Sequence, residues 1–239
     1  MDVFLWIIYP YITLTLLVVG LFFRYSTDPM GWTSKSSELL EKRQLRLASP
    51  LFHWGILAVF AGHVAGLLIP KAFYTAIGVG NEAYHFVAVA GGRVTGTLAL
   101  IGLFLLLVRR LSVRRVLLST STSDLVALLA LVVTVGLGMG ITGVYDWLHG
   151  AYHYRSTIGP WIRSILVLHP DIALMRGVPV IFKIHIVAAF TLFAISPFTR
   201  LVHIWSFPFG YLRRAPIQYR IRYGLRRVRR KQGLDPDPQ

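Results

Sequence analysis

Five apolar runs divide the chain, and charged residues collect in the stretches between them. The runs cover residues 3–23, 51–70, 86–108, 125–145 and 178–205. About 20 residues of helix cover the hydrocarbon core of a bilayer, so each run predicts one membrane-spanning helix. The expected fold is therefore an all-α membrane protein. A bundle of five transmembrane helices occupies residues 1–205, and a basic cytoplasmic tail follows over residues 206–239. Composition points the same way, with 55% hydrophobic and 15% charged residues. No connection is long enough to bury a core of its own. The first run is expected to be a helix rather than a signal peptide, because Met1-Asp2 supplies no basic leader.

Charge then orients the bundle. Of the 25 Lys and Arg residues, nineteen fall in the first and third connections and from Arg200 onward, and four in the second and fourth connections. The positive-inside rule places the N-terminus outside and the C-terminus in the cytoplasm. The tail follows a membrane helix, so attraction to anionic lipids explains it before nucleic-acid binding does. A docking surface for an acidic cytoplasmic subunit is a further use. In the first connection, SSELLEKRQLRL predicts a short surface helix capped by Ser36 or Ser37. There are no cysteines. Cysteine-ligated iron–sulfur clusters, thiolate zinc and covalently attached c-type haem are thereby excluded from this chain.

Candidate chemistry rests on histidine. The last run, VIFKIHIVAAFTLFAISPFTRLVHIW, carries His185 and His203, and the second run carries His53 and His63. Eighteen residues at about 100° each close five turns, so on a continuous helix His185 and His203 share a face, roughly 27 Å apart. Ionisable groups within a bilayer face the bundle interior or a cavity. Neutral imidazole is the usual axial ligand of haem iron, and bundles build such sites from facing helices. The second and fifth helices run in opposite directions. Depth therefore pairs His53 with His203 near the cytoplasmic side and His63 with His185 near the outer side. The geometry is imperfect, because the second-helix pair is only ten residues apart, roughly 15 Å. Helix tilt and a kink at Pro197 are expected to absorb part of the difference.

Other residues accompany these four. Gly55, Gly62 and Gly66 lie beside the second-helix histidines and fit either close helix packing or room for a flat macrocycle. Lys183 and Arg200 stand near His185 and His203 as possible partners for haem propionates, with snorkelling to the interface as the plainer reading. Arg93 sits inside the third run, where a cation needs a partner such as a propionate or a quinone headgroup. The fourth run reads as a wall. The connection after it, with His149, His153, His169 and Trp161, is expected to cover the outer site, its histidines being ordinary surface residues.

LASPLFHWGILAVFAGHVAGLLIP and FKIHIVAAFTLFAISPFTRLVHIWSFP, with IYPYI near the start, GWTSKSSELLEKR and the AGG at residues 90–92, resemble the membrane cytochrome b, or gamma, subunit of respiratory nitrate reductase. The resemblance runs over nearly the whole chain. It implies two b haems on the two histidine pairs, with quinol (menaquinol or ubiquinol) oxidised near the outer one. Electrons then pass to an iron–sulfur beta subunit and a molybdenum-containing alpha subunit that reduces nitrate on the cytoplasmic face. Enterobacterial members carry a lysine before AGG that is implicated in quinol binding, and Ala83 falls at that position here. Tyr84, His85 and Arg93 are the candidates for that site. A similar cytochrome serving a heterodisulfide or sulfite reductase remains an alternative. A haem-free anchor or transporter gives no reason for paired histidines, and no internal repeat supports it.

Overall fold

The computed structural model describes residues 1–150 and 152–206. The tail beyond them, and with it the expected lipid and docking roles of its arginines, lies outside the described residues. Five helices are long and apolar enough to cross a membrane: α1 (Phe4–Thr27), α2 (Arg43–Leu68), α3 (Asn81–Ser112), α4 (Thr122–His149) and α5 (Val180–Phe198). No strand occurs among the described residues. Each helix overlaps its predicted run, and α2, α3 and α4 extend into the flanking polar sequence. The extensions have local causes. Glu41 accepts a hydrogen bond from the Gln44 N–H and starts α2 ahead of the apolar residues. Ser121 and Asp124 cap each other's backbone at the start of α4.

Helices α2 and α3 lie against one another backbone to backbone. A Cβ at Gly55 would stand 2.5 Å from the Ala99 nitrogen, and one at Gly102 would strike the Phe52 backbone. Small residues allow this approach where lipid tails supply no hydrophobic drive. The glycines of α2 thus divide their roles. Gly55 serves packing, whereas Gly62 has no neighbouring side chain within 4 Å of its Cβ position. Gly66 faces the hydroxyls of Tyr154 and Tyr84.

A core fills the half of the bundle that holds the start of α1 and the fourth connection. A short helix in the fourth connection, Ile158–Leu166, places Trp161 edge-on to Trp6, with ring centroids 5.9 Å apart. Its indole N–H donates to the Trp6 carbonyl, and Ile141, Phe182, Ile186 and Phe190 close around the pair. Arg163 donates to the Leu67 carbonyl at the end of α2. The connection expected to lie over the bundle as a cover is therefore partly core. Trp161 is fully buried.

Two expectations are corrected. The fifth helix does not continue to Trp205. It ends in a 3₁₀ turn over Ser196–Phe198, Thr199 is extended, and a second 3₁₀ turn spans Arg200–Trp205. On a continuous helix Phe193 and Trp205 would lie about 18 Å apart along the axis. Their rings are 6.2 Å apart, and the Trp205 indole N–H donates to the Ser196 hydroxyl. The chain doubles back. Pro197 cannot donate to a continuing helix, and it packs where Gly20 lets α1 approach.

The surface helix expected over residues 36–47 is also absent. One turn forms at residues 38–40, and residues 43–47 belong to α2. The reason lies in Arg109, which is 2% exposed. It donates to the Ser37 hydroxyl, to the Ser37 and Glu41 carbonyls and, at 2.7 Å, to the Glu41 carboxylate. The Ser37 carbonyl still accepts from the Leu40 and Glu41 N–H groups, and the guanidinium holds this single turn and the Glu41 carbonyl in place. The Arg200 guanidinium donates to the Ser34 and Lys35 carbonyls, so two arginines pin the same connection.

Candidate functional site

The four histidines come together as two pairs. The rings of His53 and His203 have centroids 6.2 Å apart, and those of His63 and His185 are 6.1 Å apart. A first-row metal lies about 2.0–2.1 Å from an imidazole nitrogen, and the ring centroid about 1.1 Å behind it. Two imidazoles on opposite sides of one ion therefore have centroids about 6.3 Å apart. Both pairs match that span. No cluster of three or more His, Asp or Glu side chains converges among the described residues. A bare ion would find only two imidazoles at either pair, whereas haem iron needs no more than two from the protein.

Orientation agrees with spacing. His53 Nδ1 lies 2.8 Å from the Ser49 carbonyl, His63 Nδ1 2.8 Å from the Val59 carbonyl, and His203 Nδ1 2.6 Å from the Arg200 carbonyl. A carbonyl only accepts, so each of these Nδ1 atoms carries the proton. That leaves each Nε2 lone pair free to bind a metal. The local sequence explains the bonds. Ser49 and Val59 lie four residues before their histidines, in the preceding helical turn. His185 differs, because its buried Nδ1 has no hydrogen-bond partner among the described residues. Gly138 sits against this ring, where a Cβ would come within 3.2 Å of Cε1.

The break after α5 removes the spacing conflict noted in the sequence. His203 rides on the 3₁₀ turn, not on a straight extension of α5, so the ten-residue and eighteen-residue intervals need not match. That turn is anchored by Leu201, packed with Leu103, Ala127, Leu128 and Leu131. It is anchored also by Arg200, which lies 3.9 Å from the Asp124 carboxylate. Arg110 approaches the same carboxylate at 3.6 Å.

The remaining candidates separate. His85 and Arg93 line a cleft of about 380 Å³ together with Asn81, Glu82, Phe86 and His153. Arg93 Nε donates to the Thr142 carbonyl at 2.9 Å. Asp146 interacts electrostatically with both His85 and Arg93. Tyr84 does not line this cleft. It joins Tyr74, Tyr154 and Arg155, whose guanidinium stacks 3.6 Å above its ring. Lys183 lies over the Trp6 indole at 5.8 Å, two residues and about 200° of helix from His185. Arg200 is engaged with Ser34, Lys35 and Asp124. His149 stacks on Tyr145, and His169 is exposed. Sequence reading missed Asp146 and Arg155. The signal available was a charge beside clustered aromatics at the end of the fourth run and in the connection after it.

A family model for the nitrate reductase gamma subunit matches residues 2–222. The chain belongs to the nitrate reductase gamma subunit family. It is 45% identical over 218 residues to the nitrate reductase gamma chain of Bacillus subtilis, covering 91% of this chain and 97% of that one. It is 37% identical to the respiratory nitrate reductase 1 gamma chain of Escherichia coli, over 90% and 95% of the two chains. A nitrate reductase-like protein of Mycobacterium tuberculosis is 44% identical over 92% of this chain, which spans 34% of that longer protein. Family membership makes this chain a multi-pass membrane subunit of a nitrate reductase complex, with an oxidoreductase role.

Proposed function

We propose that this gamma-family chain holds two b haems, one between His53 and His203 and one between His63 and His185, and oxidises quinol at its outer side. The facing imidazole pairs carry this reading, with spacings of 6.2 and 6.1 Å and Nδ1 protons fixed on carbonyls at three of the four rings. Bound there, the haems would supply one-electron carriers between quinol and an iron–sulfur beta subunit that serves a molybdenum-containing alpha subunit. The asymmetry of Lys and Arg supports an outer N-terminus and partner subunits on the cytoplasmic face of the inner membrane.

The cleft at the outer end of α3 is the quinol site in this reading. Arg93, steadied at Nε by the Thr142 carbonyl, keeps its terminal N–H groups for a quinol oxygen. His85 takes a hydroxyl proton, with Asp146 beside it. Which quinol is used, menaquinol or ubiquinol, is decided by assay with each.

The test is a reduced-minus-oxidised spectrum of the purified chain, with haem counted per polypeptide. H53A and H203A are expected to remove one and the same haem, and H63A and H185A the other. R93A and H85A are expected to slow reduction by quinol while both haems remain. A chain without haem, or haems that quinol does not reduce, would refute the reading.

A further inference from the structure

The cluster at the outer end of α2 has no part in the cleft just described, and its chemistry is incomplete. Arg155 lies against two tyrosines, with its guanidinium carbon 3.6 Å from the Tyr84 ring centroid and 4.7 Å from that of Tyr74. The two rings stand 4.7 Å apart at 63°. Aromatic faces attract a guanidinium through the face of its plane. They do nothing for the N–H groups that lie in that plane. Nε and one terminal nitrogen of Arg155 are buried with no acceptor among the described residues. No carboxylate pairs with it there either. Burial pushes the Tyr74 and Tyr154 hydroxyls above their ordinary values, so these neighbours are neutral and leave the positive charge uncompensated.

A planar guanidinium presents adjacent N–H donors that match the two oxygens of a carboxylate. The position narrows which carboxylate. Tyr74 donates to the Ala65 carbonyl at 2.9 Å, and Gly66 has no side chain because the Tyr154 hydroxyl stands 2.7 Å from its Cβ position. Gly66 follows His63 by three residues, about 4.5 Å along the axis. Arg155 is therefore held close to one turn beyond an outer imidazole, where a macrocycle's rim lies rather than its metal. The other cations considered for this role are turned elsewhere, Lys183 to Trp6 and Arg93 to the Thr142 carbonyl.

We infer that Arg155, gripped by Tyr74 and Tyr84, binds a propionate carboxylate of the haem held by His63 and His185. This rests on the two-haem reading above, and Arg155 acts on the cofactor's rim rather than on its iron. A cation beside the propionate favours the reduced haem, because reduction adds negative charge. Its removal favours the oxidised form.

The experiment is a redox titration of the full chain without quinol, following each haem by its spectrum in wild type, R155K and R155Q. Both haems are expected to remain in R155Q. The outer haem's equilibrium should shift about tenfold toward oxidised, about 59 mV lower for one electron, with the inner haem unchanged. R155K, which keeps the charge, should recover most of the shift. An unchanged outer potential in R155Q with both haems present would overturn the inference while leaving the two-haem reading intact. If R155Q left the outer potential unchanged and, in a separate assay of haem reduction by quinol, raised the KM, Arg155 would be a quinol-binding residue and the inference would also fall. A wild-type chain without haem would refute the earlier reading itself.

Discussion

Gly55 and Gly62 occupy one helix seven residues apart, and the same substitution is expected to have opposite effects on the fold. An added Cβ at Gly55 would lie 2.5 Å from the Ala99 nitrogen and 2.8 Å from the Thr95 carbonyl oxygen. Bringing the first contact to an ordinary distance near 3.5 Å requires α2 and α3 to separate by about 1 Å. Backbone cannot change rotamer to make room, so the overpacking cost belongs at the upper end of the usual ~1–3 kcal/mol. Alanine returns about 0.5–1 kcal/mol of helix propensity. The net expectation for G55A is about 1–2 kcal/mol of destabilisation. At Gly62 nothing stands within 4 Å, so only the propensity gain acts on the chain itself. Thermal unfolding of the two variants in detergent, without haem, measures the difference, and G55A should melt below wild type and G62A at or above it. In the haem-loaded protein, G55A should also disturb the haem assigned to His53, which lies two residues from the contact. Equal melting of G55A and wild type would refute the claim that α2 and α3 meet through their backbones.

Three further outcomes follow from the same structure. W161A removes a fully buried indole and its hydrogen bond to Trp6, and is expected to cost about 3–5 kcal/mol in unfolding experiments. The Glu41 carboxyl is held below its ordinary value by the Gln44 N–H and by Arg109. Its contribution is complete above the unfolded carboxyl pKa and is lost as pH falls through the lowered folded value. Proteolysis of the first connection should therefore accelerate on acidification in wild type and lose that pH dependence in E41Q. P197A restores a backbone donor at the break, and is expected to perturb the spectrum of the haem proposed at His203 while leaving that of the haem proposed at His185 unchanged.

The bundle was legible because a helix in lipid must be apolar over a fixed length, and five runs meet that condition. The histidine pairing was legible for a related reason. Opposite chain directions fix which imidazoles share a depth, and the ring separations agree with that pairing. The doubling back after Ile195 was not legible. Apolarity continues from Val202 to Trp205 whether the chain runs straight or folds, and a proline signals a kink as readily as an end. The first connection misled because SSELLEKRQLRL has helical composition. The segment is instead held by Arg109, 68 residues beyond Glu41 in the chain, and no local pattern reports a partner at that distance. Tyr84 and His85 are adjacent, yet they serve different clusters because neighbouring residues on a helix point about 100° apart.

The two histidines of the last apolar run tolerate change in the chain between them differently from residues on a shared rod. One residue inserted into a continuous helix would carry the second imidazole about 100° around the axis and 1.5 Å along it. Here Thr199 is extended and the turn that follows is seated by Leu201 and Arg200. An insertion or deletion between Ile195 and Thr199 would therefore not carry His203 around the α5 axis as it would on a continuous helix. Their eighteen-residue interval is thus not a ruler for the distance between the two histidine pairs.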